Sequence, residues 1–369
     1  MALLLISSVL AVPVAAAAPT TSDPVWSAQQ TTLYYDDGSG TPLTYSLPGL
    51  AKDIMVYGDY VYVVGGTMPA YAGKYEVSGG AISVVWENTG GIPGSGTDVT
   101  LIDTATDPRI FVLTEYSDLV ELDDATGADI NVGMVDISGM GMTSSLDGSK
   151  LYVGAMDTGV FVVDPDTFAK SQYTDLGSRV FDMEVNPVDG DIYAALGGNG
   201  LVKLVDDGSG SGALTVTPLD TTGMNGAVFS VVASPTTGEM YVSGTDSSSS
   251  SQVVATYDID DTRTSTTTVG SGISRETSSI SVTPSGSEYI VNDGTQLVGV
   301  NTVSGSTIWT SDAMDSGATV GAHIAMNEEP QLSPYSLNAP PTVSFDTPVD
   351  NSTAAVGSEI VYSVNASDA

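Results

Sequence analysis

The sequence predicts an all-β fold. Small sheets stack as a six- or seven-bladed β-propeller, followed by the opening of a truncated C-terminal Ig-like β-sandwich segment. Three observations carry this reading. A short aromatic and β-branched run recurs six times, with anchors at Tyr62, Phe111, Tyr152, Tyr193, Tyr241 and Tyr289 spaced 49, 41, 41, 48 and 48 residues apart. A period of about 40–50 residues built from short strands is the mark of propeller blades. The chain is rich in turn formers, with 41 Gly and 18 Pro, and it has no cysteine. Packing and repeat stacking, rather than disulfides or thiolate metal sites, must therefore stabilise it. Third, Asp-Gly pairs and related turns sit between the runs, where a tight hairpin needs residues tolerant of positive φ.

Residues 1–18 read as an export signal. Leu3 to Val14 are apolar, and Ala15 to Ala18 before Pro19 form a small-residue cleavage region. The basic start of such a signal is missing, since no Lys or Arg precedes Lys52. The apolar run is too short to span a bilayer, and no later segment reaches the roughly 18 apolar residues that a spanning helix needs. Residues 19–30 read as a Ser/Thr/Pro spacer. Within 31–47, Thr32 to Tyr35 and Leu43 to Leu47 flank the turn Asp36-Asp37-Gly38-Ser39-Gly40, giving a hairpin placed to close the ring against the last blade.

The repeats extend to residue 335. The clearest runs from Met142 through Leu146-Asp147-Gly148 to Leu151-Tyr152-Val153-Gly154, and then through Gly159-Val160-Phe161-Val162-Val163 to Asp164. It predicts a strand, an Asp-Gly turn, a core strand and a third strand that is apolar on both faces because sheets flank it on both sides. The layout returns at Val185–Tyr193, Ala233–Tyr241 and Val282–Tyr289. Pro330 to Ser336 is a Pro-punctuated connector.

Over roughly residues 48–335 these repeats resemble the YVTN and NHL type of extracellular propeller. The first of them, Asp53-Ile54-Met55-Val56-Tyr57-Gly58-Asp59-Tyr60-Val61-Tyr62-Val63, is closer to the LVIVD repeat of surface proteins. The Trp-Asp dipeptide of the WD40 class is missing. The tail, 336–369, resembles the start of an Ig-like surface domain of the PKD or cadherin-like kind, through Pro340-Pro341-Thr342-Val343, Pro348-Val349-Asp350-Asn351-Ser352 and Ile360-Val361-Tyr362-Ser363-Val364. Such a sandwich needs about 100 residues, so the resemblance implies part of a longer multidomain protein. Propellers host unrelated activities, so neither resemblance assigns a chemistry.

Forty-five acidic residues against nine basic ones give a net charge of −36. Binding nucleic acid or anionic lipid needs a Lys/Arg patch, which weighs against nucleic-acid partners, and the lack of a second long apolar segment predicts no direct membrane insertion. Three origins of the acidity stay open. They are a saline or marine setting that screens self-repulsion, calcium loading of clustered carboxylates, and the solubility of a secreted protein.

Chemistry-bearing motifs are sparse, and no catalytic, cofactor-binding or metal residue is assigned. His323 is the sole histidine, read as packed in the last blade, and it is the one candidate base for a Ser-His-Asp arrangement. Acidic pairs stand at Asp36-Asp37, Asp123-Asp124, Asp206-Asp207, Asp260-Asp261 and Glu328-Glu329. With 45 acids in the chain, a pair at glycosidase spacing arises by chance. The stretches Asn186–Asp191 and Asp258–Asp261 offer oxygen ligands for a calcium ion but do not match the EF-hand loop, and the competing reading is Asp capping its own turn. Trp26, Trp86 and Trp309 are too few for a tryptophan-docked quinoprotein ring. Gly208 to Gly212 and Ser247 to Ser251 read as flexible loops. Asn351 and Asn365 begin glycosylation sequons in the tail.

Two function classes follow. The first is a secreted or cell-surface propeller, non-catalytic, serving binding, adhesion or envelope structure. Its rim loops would meet a protein or carbohydrate ligand. The second is an extracellular propeller enzyme (lyase, hydrolase or quinoprotein-like oxidoreductase) with a site at the central channel. The scarcity of Lys and Arg weighs against anionic substrates.

Overall fold

The structure is a computed structural model. It describes residues 24–311 and 322–326, apart from 38–40, 105–106, 116–117, 136–138, 157, 209–212, 225–226, 247, 250, 272–278 and 293–295. The export segment, the connector Pro330 to Ser336, the Ig-like tail, Asn351 and Asn365 lie outside the described residues.

The chain opens with β1 (Val25–Gln29), β2 (Thr32–Asp36) and β3 (Leu43–Ser46). Blade 1 follows as β4 (Ala51–Tyr57), β5 (Tyr60–Gly65), β6 (Tyr71–Ser78) and β7 (Ala81–Asn88). Blade 2 is β8 (Gly96–Ile102), β9 (Arg109–Thr114), β10 (Asp118–Leu122) and β11 (Asp129–Met134). Blade 3 is β12 (Gly139–Ser144), β13 (Leu151–Ala155), β14 (Gly159–Val163) and β15 (Lys170–Asp175). Blade 4 is β16 (Asp182–Val185), β17 (Ile192–Ala195), β18 (Leu201–Val205) and β19 (Thr215–Pro218). Blade 5 is β20 (Ala227–Ala233), β21 (Met240–Asp246), β22 (Ser251–Tyr257) and β23 (Arg263–Ser271). Blade 6 is β24 (Ile280–Val282), β25 (Glu288–Asn292), β26 (Leu297–Asn301) and β27 (Thr307–Thr310), and β28 (Ala322–Met326) comes last.

Each blade is a four-stranded antiparallel meander, and the seventh has the order β28-β1-β2-β3. The blade number is therefore seven. The ring closes where the last described strand pairs with the first, in the register Trp26↔Ala325 and Ala28↔His323. Residues 25–29, read from sequence as the end of a spacer, are the second strand of this blade. Five residues beside a polar stretch give no signal of a partner that lies some 300 residues away in the chain.

The second strand of each blade explains the repeat. Its side chains alternate between two neighbours, and both faces are buried. Tyr62 and Val64 pack toward blade 2 with Val99, Ile110 and Val112. Val61 and Val63 pack toward the closing blade with Trp26, Ala28 and Leu33. Seven apolar clusters result, one per blade interface. Trp26, 3% exposed, occupies in the closing blade the place that Tyr62 or Phe111 holds elsewhere, so it is the seventh anchor.

Four third strands end in a capping residue. Asp123 accepts from the Thr126 amide (2.8 Å), Asp164 from those of Asp166 and Thr167, Asp258 from those of Asp260 and Thr262, and Asn301 from that of Ser304. The sequence pattern "apolar strand ending in Asp" is thus an Asx turn that opens the last hairpin of the blade.

Candidate functional site

The inner strands β4, β8, β12, β16, β20 and β24 surround a cavity of about 220 Å³ on the ring axis. Position by position, the residue two before the inner-strand partner of each anchor is Asp53, Asp98, Gly141, Asp182, Ser230, Ile280 and, in β28, His323. Three blades therefore place a carboxyl at one level of the channel. His323 is known here by its backbone position alone.

Each aspartate reaches the next blade. Asp53 Oδ2 accepts the Val99 amide at 3.0 Å, and Asp98 Oδ2 accepts the Met142 amide at 2.6 Å. Asp182 Oδ2 accepts the Val231 amide at 2.9 Å and the Ser230 hydroxyl at 2.7 Å. These staples occur at the heads of inner strands. In β4, β8, β12 and β20 a bulge there offsets the ladder and leaves amides open. Blade 3 has Gly141 instead, where an added Cβ would lie 3.0 Å from Asp182 Cα. A side chain there would need the two inner strands to give by a few tenths of an ångström.

Burial raises the carboxyls, because it disfavours their charged form. Asp53 is pushed up to about 7 by burial, with the Val99 amide and the bond from Asp98 pulling it back. Burial, and then the Asp53 charge, push Asp98 well above the usual carboxylate range. Asp182 rises to about 6 for the same first reason, restrained by Val231 and Ser230. Farther along the axis the wall adds Tyr57, Asp103 and Glu184, with the Tyr57 hydroxyl on Asp103 at 2.7 Å. Among the described side chains lining the cavity there is no Lys, Arg or His.

Five of the nine cations pair with acids between blades or on their rims. Lys74 pairs with Asp124 at 2.7 Å, Lys150 with Asp206 at 2.6 Å, and Lys203 with Asp191 at 2.7 Å and Asp261 at 3.0 Å. Arg109 bridges Glu121 and Asp166, and Arg263 meets Asp220. The anchor hydroxyls join the same acids: Tyr62 on Asp124 (2.6 Å), Tyr152 on Asp206 (3.0 Å) and Tyr193 on Asp261 (2.5 Å). Each such contact ties one blade to the third-strand turn of the next.

The candidates from sequence do not converge. Asp123 and Asp124 split between a turn cap and the Tyr62–Lys74 clasp, and Asp261 leaves Asp260 to meet Tyr193 and Lys203. In the stretch 186–191, Asn186 donates to the Gly238 carbonyl and accepts from Val188, Asp189 caps Asp191, and Asp191 faces Lys203. Among the described residues no three carboxylates or histidines are disposed to hold a metal ion. Glu328-Glu329 lies outside them. Among 45 acids, composition and pairing do not set Asp53, Asp98 and Asp182 apart. The available signal was their shared context, Asp-Ile-Met-Val, Asp-Val-Thr-Leu and Asp-Met-Glu-Val, at the head of three inner strands.

Comparison with known proteins adds the fold and nothing finer. No protein-family model matches the chain, and no curated protein matches it. Among solved structures, a functionally unknown protein from Desulfotomaculum acetoxidans DSM 771 superposes with TM-score 0.64 at 14% identity, covering 84% of this chain and 100% of its own. A protein from Bacteroides uniformis ATCC 8492, described as a "putative 6-phosphogluconolactonase", gives 0.57 at 14%, with 82% and 100% covered. One of the same description from Bacteroides fragilis NCTC 9343 gives 0.58 at 14%, with 83% and 99% covered. The chain is a seven-bladed β-propeller similar in fold to these. Among the described residues no helix is long and apolar enough to cross a membrane.

Proposed function

We propose that this chain is a secreted or cell-surface propeller that binds a protein or carbohydrate ligand through its rim loops and has no catalytic centre. The observation that supports this most is what the channel acids do. Asp53, Asp98 and Asp182 are each committed to a backbone amide of the next blade, so the axis is a structural hub. A phosphosugar lactone, as the description of the Bacteroides proteins would suggest, needs a cationic partner for its phosphate. The cavity wall offers carboxyls in its place. Export rests on the apolar 3–14 segment and the alanines that follow it.

Incubation of the purified protein with 6-phosphogluconolactone is expected to match the buffer blank. Hydrolysis lost in Asp98→Asn would overturn the non-catalytic reading. Binding is tested on glycan and cell-surface-protein arrays, with capture expected for the wild type and lost when rim loops are exchanged. The runner-up is a channel enzyme acting on a neutral or cationic substrate. One observation favours it, since carboxyls held near neutrality in a cleft are suited to acid–base work.

A further inference from the structure

The heads of the inner strands carry side chains that the core does not use. The bulges of β4, β8, β12 and β20 each insert one unpaired residue just before the level of the channel acids, and these residues are Lys52, Thr97, Met140 and Phe229. In blade 4 the register shows no bulge, and Phe181 directly precedes Asp182. A bulge re-aims its extra side chain, and such positions recur beside functional sites. All five side chains are half-buried. Met140, Phe181 and Phe229 belong to none of the seven apolar clusters. Phe181 and Phe229 pack on one another instead, edge to face, with ring centroids 5.4 Å apart. Phe181 is seated by Gly197 (φ +58°), where an added Cβ would lie 2.5 Å from Phe181 Cε2. Gly197 in turn exchanges both backbone hydrogen bonds with Val228, so the ring pair stands on a bridge between blades 4 and 5.

Arg179 completes the group. Its guanidinium lies 5.7 Å from the Phe181 ring centroid, and its Nε donates to the Met156 carbonyl at 3.0 Å. Among the described residues, the cations Lys52, Lys170 and Arg179 enter no ion pair, although the chain has 45 acids. Lys170 is exposed on the outer strand β15, and the other two stand at the strand heads. A half-buried guanidinium on an aromatic edge, with no acid on its fork, matches the planar geometry of a carboxylate. We propose that this crown binds a single carboxylate borne on a ring: the Arg179 fork takes the carboxylate, the Phe181–Phe229 pair receives the face of the ring, and Lys52, three blades around, adds positive charge at the same level. The site deepens the binding function proposed above and rests on it. Each further negative charge on a ligand meets the field of a chain at −36, which selects one carboxylate over a phosphate or a polyanion. Such a group has two sources, an aryl carboxylate and the terminal acidic sugar of a glycan.

The test is a ligand-observed saturation-transfer NMR titration of the full chain at neutral pH. Benzoate and methyl glucuronide are the probes, and benzamide and methyl glucoside are their uncharged counterparts. Transfer is expected to at least one carboxylate and far less to its counterpart. Benzoate alone would identify the aryl source, and the glucuronide alone the acidic glycan. Arg179→Gln should weaken binding about tenfold or more, the usual loss of a hydrogen bond to a charged group. Lys52→Gln should weaken it less, and Phe181→Leu should weaken acid and counterpart alike, since it removes the ring platform and not the charge. Circular dichroism checks that each variant is folded. Should Phe181→Leu not fold, because its ring is seated on Gly197, Arg179→Gln and Lys52→Gln decide, as neither side chain holds an ion pair. Equal transfer to acid and counterpart, unchanged affinity in Arg179→Gln, or silence of both carboxylates would overturn the site. A ligand captured on the arrays by wild type and Arg179→Gln alike would sink the crown and leave binding through the rim loops standing.

Discussion

Asp182 shows how much one side chain carries. Its Oδ2 accepts from both Ser230 and Val231, so Asp182→Ala leaves a hydroxyl and an amide without their partner inside the ring. Such losses cost about 1–3 kcal/mol each when the donor stays buried. Chemical denaturation should therefore place Asp182→Ala about 2–4 kcal/mol below the wild type, with Asp182→Asn, which keeps an acceptor, much closer to it. At the rim the same logic is milder. Tyr193→Phe removes one bond to Asp261 but leaves Lys203 on that acid, and a loss of about 1–2 kcal/mol is expected.

At the level of the element, Trp26 decides whether β1 belongs to the ring. The residue is buried in the cluster shared with blade 1, and β1 alone joins β2 and β3 to the strand from the far end of the chain. Trp26→Ala should cost about 3–5 kcal/mol, the usual loss for a large aromatic in a core that cannot collapse. Thermal melting followed by circular dichroism should register it as a lower and broader transition. Turns supply a second case. Gly238 has φ +71°, and a Cβ there would lie 2.8 Å from Val188 Cγ2 and 2.9 Å from Asn186 Oδ1 of blade 4. Gly238→Ala should destabilise by about 1–2 kcal/mol through backbone strain, with the blade 4–5 contact disturbed as well.

For the molecule as a whole, charge and pH act through different groups. The net charge is −36, and exposed turn acids such as Asp147, Asp164 and Asp189 contribute to it, so raising salt from low to molar concentration should raise the melting temperature, and equal stability at both would remove the saline reading. Turn-capping acids such as Asp164, Asp206 and Asp246 are held below the ordinary carboxylate value, by backbone and side-chain donors for Asp164 and Asp246 and by Lys150 and other donors against burial for Asp206. Their stabilisation is present above about pH 4 and is lost toward acid. Burial lifts Asp53 and Glu288 to about 7 and Asp182 to about 6, and their stabilisation fades as pH rises through those values. Stability should therefore peak in mildly acidic solution and decline toward pH 8. Calcium should not shift the melt, since Asp189 and Asp258 already cap turns and Asp191 and Asp261 face Lys203.

By itself the sequence determined the strand content, the repeat and the turns, because these depend on neighbours a few residues apart. Tyr, Val and Ile at period two make strands buried on both faces, and an Asp at a strand end caps whatever turn follows. Six anchors could be read in this way, and the seventh, Trp26, could not, since its strand gains its meaning only from β28. The channel was hidden for the same reason. Asp53, Asp98 and Asp182 look like any other acids until seven sheets close and turn one register position inward. Only the closed ring draws those carboxyls in from solvent, Asp98 fully and Asp53 and Asp182 in part, and brings each within reach of an amide on the adjoining blade; burial and neighbourhood are properties of the assembled circle that no local stretch of chain encodes.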